Sequence, residues 1–222
     1  MNKTIDIEKP IDAALKDVLE FLSDRNDLTI IVDPVAFKIA EPPLEDVEGQ
    51  KVRLPKLAGI SLANVLQMVL DQVGGTVVLR SDAIFVVAID QVVKEMDNEG
   101  RFKSSSERTE YLRRNPLVYA NFVRVSLEDV LESLCEKTGR TIVVSTQVAE
   151  LAKTPVTVRL VNVSLDTAVR LVTEMTGLKT VAVENAIYVT TPEAAAAFPQ
   201  SIRRPIPPPR LVPKLEKKEE AK

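Results

Sequence analysis

Residues 15–22 read L-K-D-V-L-E-F-L and residues 127–134 read L-E-D-V-L-E-S-L. Six of the eight positions are identical at an offset of 112, and the register continues to Thr29-Ile30-Ile31-Val32 and Thr141-Ile142-Val143-Val144. A second block repeats at an offset of 103. Ser61-Leu62, Gly74 and Ala83-Ile84-Phe85-Val86 match Ser164-Leu165, Gly177 and Ala186-Ile187-Tyr188-Val189. The first copy therefore carries nine more residues between its blocks. A repeat of this period reads as one supersecondary unit used twice. In a chain of 222 residues that means two small domains, each able to bury a modest core.

The apolar spacing gives each unit its elements. In the second copy Phe122-Val123-Arg124-Val125 reads as a strand, and Ser126 with Asp129 reads as a capping-box-like helix start. Leu127, Val130, Leu131, Leu134 and Cys135 then share one helical face, which Gly139 ends. Thr141–Ser145 reads as a buried strand, and Val156, Val158 and Leu160 alternate as a half-exposed one. Ser164 is expected to cap a second helix with Leu165, Ala168, Val169 and Val172 inward, ended by Gly177. Residues 180–183 and 187–190 flank a hairpin turn at Glu184-Asn185.

The first copy repeats the order. Ile5 and Ile7 mark a strand, Leu15, Val18, Leu19 and Leu22 a helix, Leu28–Val32 a strand and Lys51–Leu54 another. Ser61 caps a helix with Leu62, Val65, Leu66 and Val69 inward, Gly74-Gly75 stop it, and a hairpin turns at Ser81-Asp82. The expected fold class is α+β, as two tandem β-α-β-β-α-β-β units over residues 1–90 and 117–192, with helices on small mixed sheets. Residues 91–116 are expected to be a polar linker with a local helix over Glu107–Arg114. The extra residues at Ala36–Gln50 read as a surface excursion. From residue 193 onward the chain is Pro-rich and charged and is expected to be a disordered tail.

Charge and residue types narrow the chemistry. Residues 1–95 carry 10 basic and 16 acidic side chains, and residues 117–197 carry 7 and 9. Acidic folded units make nucleic acid an unfavoured partner, because phosphate binding needs a basic face. The chain has no His and one Cys, so Cys135 lacks the usual base and reads as a core residue. Glu41, Glu45, Asp46 and Glu48 lack the alternation and glycine of a calcium loop and read as a solvated loop. Gly74-Gly75 follow a helix, so they form no phosphate cradle. Phe85 and Tyr188 read as packing residues. Pro205-Ile206-Pro207-Pro208-Pro209-Arg210 fits an extended recognition ligand, with a passive tether favoured. No catalytic set, cofactor site or small-molecule substrate is expected. Residues 1–10 lack a signal-peptide core, and no apolar run approaches a membrane span. As written, the chain is expected to be cytoplasmic if complete.

The whole pattern resembles the secretin and TonB N-terminus short domain. The matching residues are 127–134 with 141–144, 164–172, Gly177 and 186–189, and in the first copy 15–22, 29–32, 61–69, Gly74 and 83–86. They lie in units totalling about 165 of the 222 residues. The resemblance implies a non-enzymatic docking or adaptor unit in the bacterial periplasm or cell envelope that binds another envelope protein. It also leaves open a structural subunit of a secretin-like assembly, with homo-oligomer formation. A nucleic-acid-binding α/β module is a further alternative. The expected docking strand is Lys51, Val52, Arg53 and Leu54 with the loop residues Glu41, Glu45, Asp46 and Glu48, because the two copies differ most there and an exposed strand edge can accept a partner strand.

Overall fold

The computed structural model describes residues 4–80, 83–97 and 100–198. The architecture is α+β with small sheets. The first half runs β1 (Thr4–Ile7), β2 (Ile11–Ala14), α1 (Leu15–Asn26), β3 (Ile30–Val32), α2 (Pro34–Lys38), β4 (Lys51–Leu54), β5 (Leu57–Ser61), α3 (Leu62–Leu70), β6 (Gly75–Arg80), β7 (Ala83–Ala88) and α4 (Ile89–Met96). After α5 (Ser105–Arg114) come β8 (Leu117–Ser126), α6 (Leu127–Thr138), β9 (Thr141–Val144), α7 (Ala149–Ala152), β10 (Pro155–Ser164), α8 (Leu165–Glu174), β11 (Lys179–Val183), β12 (Ala186–Thr190) and α9 (Pro192–Ala197). The expected strands and helices occur among these elements, together with β2, α2, β5 and α4 in the first half and α7 and α9 in the second, which the apolar spacing did not announce.

The second half holds two sheets and the first holds three. β8 and β10 pair antiparallel from end to end, with two bulges, and the first half splits the equivalent strand pair into β2–β4 and β1–β5. The cause is local. The β2–β4 register sets Ile11 opposite Leu54, so its continuation would set Pro10 opposite Pro55. Neither proline has an N–H to give, and the ladder stops. The other sheet is mixed, in order β3-β7-β6 and β11-β12-β9, with β3–β7 and β9–β12 parallel. That order leaves β6 and β11 as edge strands.

The helix stripes are buried as their spacing predicts: Leu15, Val18, Leu19 and Leu22 on α1, and Leu127, Val130, Leu131 and Leu134 on α6. They fill two clusters of buried residues, one drawn from residues 5–88 and one from 118–189. Cys135, placed on the α6 stripe, is half-buried. Ser61 and Ser126 cap their helices by accepting the N–H of Asn64 and Asp129. Ser164 does not cap α8. Its hydroxyl is engaged with Asp166, Thr167 and the phenol of Tyr111.

Two stretches depart from their polar reading. The excursion at 36–50 is anchored by Phe37 and Val47, both buried in the first cluster, and by the Leu15 and Lys16 N–H groups bonded to the Gln50 and Glu48 carbonyls. The expected linker is packed as well. α4 and α5 close a third cluster over the outer face of β6 and β7, containing Val78, Val87, Val92, Val93 and Leu112. The expected disordered tail begins too early at residue 193: residues 193–197 belong to α9, which Thr191 caps by accepting the Ala194 N–H. The tail beyond Phe198 and the turn at Ser81-Asp82 lie outside the described residues.

Candidate functional site

A carboxylate–guanidinium group holds the connector. Arg108 on α5 is 6% exposed and Asp90 at the start of α4 is 4% exposed. The Arg108 guanidinium meets Asp90 at 2.5 Å and Glu41 at 3.2 Å, and Lys94 meets the same two carboxylates at 3.0 and 3.3 Å. Burial pushes the Asp90 carboxyl up, but the hydrogen bonds and charges of Arg108 and Lys94 outweigh it and hold Asp90 below the usual carboxylate range. The Ser105 hydroxyl also donates to the Glu41 carbonyl. Glu41 therefore anchors the loop to both connector helices. A depression of about 350 Å³ lies beside this group, bordered by Phe37, Glu41, Lys51, Gln72, Asp90 and Ser105. Among the described residues no three His, Cys, Asp or Glu side chains are grouped to hold a metal ion.

The other expected site residues scatter. Glu45 and Glu48 are exposed, and Asp46 accepts the Gly49 N–H at 2.9 Å. On β4, Val52 and Leu54 are buried and Lys51 and Arg53 are exposed. The Arg53 guanidinium pairs with Asp12 across the strand pair at 3.0 Å. Its backbone is already engaged. Gln72, just past α3, accepts the Arg53 N–H through Oε1 and donates Nε2–H to the Arg53 carbonyl, both at 2.9 Å. One side-chain amide thus occupies the outer edge of β4.

A second amide does the same on β6. Asn162 of β10 accepts the Leu79 N–H through Oδ1 and donates Nδ2–H to the Leu79 carbonyl, again both at 2.9 Å. Asn162 has φ 55°, at a register shift of the β8–β10 ladder. Asn tolerates that left-handed conformation better than most side chains. The residue aligned with it in the first half is Gly59, also left-handed. Beside it the Tyr119 hydroxyl donates to the Val77 carbonyl at 2.6 Å, and burial pushes its pKa up. Tyr111 on α5 reaches Asp166 at 2.8 Å and Ser164 at 3.1 Å, and burial raises its pKa to about 12. These hydroxyls stay protonated and donate throughout the neutral range.

Asn162 and Tyr119 join the halves, and Tyr111 ties the connector helix α5 to the second half. Sequence spacing gave no sign of them, because each works through tertiary placement. The αL position of Asn162, matched by a glycine in the other copy, was the one readable hint. Replacing Asn162 by Gly keeps the backbone conformation and removes the amide. The expected result is about tenfold or faster hydrogen exchange at the Leu79 amide with the global melt little changed, read by NMR. Unchanged exchange at Leu79 would show that the amide does not hold that edge.

No protein-family model matches the chain, and no curated protein matches it. Among solved structures it is similar to a dimeric mutant of the N-terminal domain of the secretin XcpQ from Pseudomonas aeruginosa. The identity is 16%, the match covers 91% of this chain and 100% of that one, and the TM-score is 0.26. So slight a likeness bears on neither fold nor function. Among the described residues no helix is long and apolar enough to cross a membrane.

Proposed function

We propose that the chain is a non-enzymatic protein-interaction module of the bacterial envelope, built from tandem domains of the secretin and TonB N-terminal short type. The observation that carries this reading is the mounting of one half on the other. Asn162 and Tyr119 hydrogen-bond the edge of β6, and the Asp90–Arg108 group ties the connector down. Polar side chains here are spent on fixing two small sheets in one relation, as a presenting scaffold requires. The motif resemblance supplies the envelope setting and the docking role.

The whole chain, immobilised and exposed to envelope extract, is expected to retain one or a few proteins that free chain displaces. Recovery no different from blocked beads would overturn the reading. The second reading is a structural subunit of a secretin-like assembly. It predicts a closed oligomer in sedimentation velocity, whereas the adaptor reading predicts a monomer.

A further inference from the structure

The edge of a sheet presents unpaired N–H and C=O groups that recruit another strand unless something covers them. In the first half the β4 edge is covered at Arg53 by the Gln72 amide, and the β6 edge at Leu79 by the Asn162 amide. A carboxamide that accepts from a residue's N–H and donates to its C=O takes the place of a neighbouring strand's peptide group. The first half therefore displays, on its own atoms, what such an edge binds.

The second half repeats the β4 edge without the stopper. Ala14 pairs with Lys51 and Ser126 with Pro155, which aligns Arg53 with Thr157 on β10. Gly74 and Gly177 end α3 and α8 in the same left-handed conformation, which aligns Gln72 with Met175. A thioether has no hydrogen to donate and accepts only weakly, so Met175 cannot serve as Gln72 does. Thr157 is exposed and sits at a bulge of the β8–β10 ladder, where its hydroxyl accepts the Arg124 N–H at 3.0 Å; among the described residues β10 pairs with β8 alone, so its other edge carries no strand. Met175 is 54% exposed, and Leu171, one turn earlier on α8, is 43% exposed. Two apolar side chains thus stand open on the helix that supplies the stopper in the other half. Methionine adapts its shape to whatever apolar group it meets.

We propose that the β10 edge at Thr157, with Met175 and Leu171 beside it, seats an extended segment of a partner protein, added as a strand with one apolar side chain resting on the Met–Leu ledge. This rests on the interaction reading above and moves the binding surface from the first half, where the copies diverge, to the second. The segment is bounded at one end by Pro155, which has no N–H to offer a ladder. Main-chain hydrogen bonds supply affinity and the ledge supplies selectivity.

The test exchanges the stopper between the halves. A random dodecapeptide library on phage is panned against the whole chain, and enriched peptides are labelled and titrated by fluorescence anisotropy. One site per chain is expected. Met175→Gln should weaken binding by at least about tenfold, because the new amide competes for two main-chain hydrogen bonds. Gln72→Met should open a second, weaker site. Melting curves for both variants check that they remain folded. Peptides that bind Met175→Gln as well as the unaltered chain would leave an interaction module with its site elsewhere and overturn the edge assignment. Failure of any peptide to enrich would overturn the edge assignment, while the pull-down from envelope extract decides the interaction reading separately. A concentration-dependent dimer that Met175→Gln abolishes would give the seat to a second copy and overturn the partner segment.

Discussion

Leu131→Ala is expected to destabilise the second half by about 2–5 kcal/mol, the usual cost of emptying a buried leucine site. Leu131 lies on the α6 stripe and is almost fully buried in the second cluster. A unit of this size has a total stability on the order of 5 kcal/mol. The change should therefore unfold residues 117–190 at working temperature. Leu19→Ala on α1 should do the same to the first half, because Leu19 occupies the matching place in the first cluster. Calorimetry of the two variants should move different transitions. A Leu131→Ala melt that matches the unaltered chain would refute the packing of α6 described above. One transition lost in both variants would show that the third cluster couples the halves into a single cooperative unit.

Arg108→Ala is expected to cost about 3 kcal/mol, because it leaves the Asp90 carboxylate buried with Lys94 as its remaining ion-pair partner and the Gln91 amide as a long hydrogen-bond donor. The effect should depend on pH in a definite direction. Arg108 and Lys94 hold the Asp90 pKa below its ordinary value of 3.8. A depressed carboxylate contributes stability above its unfolded pKa and loses it as the pH falls through its folded value. The penalty should thus be full near neutrality and shrink below about pH 4. Urea unfolding at both pH values measures it. A penalty independent of pH would mean that Arg108 acts through its packed stem and not its charge.

Helical faces were legible in the sequence because their information is local. Leu15, Val18, Leu19 and Leu22 announce one buried stripe whatever lies against it. Asp90 and Arg108 announce the opposite of what they do. Asp90, last residue of the first expected unit, and Arg108, within the expected linker, carry charges that suggest exposure, yet each is buried because the other is 18 residues away and in contact. Phe37 and Val47 were hidden by the prolines and acids around them. The amide stoppers were further out of reach, since a glutamine or asparagine carries no mark of the strand it will cover. Two copies set side by side do carry one: Gln72 against Met175 and Gly59 against Asn162 are the substitutions that separate a covered edge from an open one.

The exchange of Gly59 for Asn162 also gives the contact between the halves a direction. The second half reaches out with a side chain and the first receives it. The matching position of the first half, being glycine, has nothing to extend toward the β11 edge of a neighbour. A string of such chains cannot grow by repeating the joint that each one already contains. The pair is closed at one end by chemistry, and its valency for strands is set by the half that keeps an edge free.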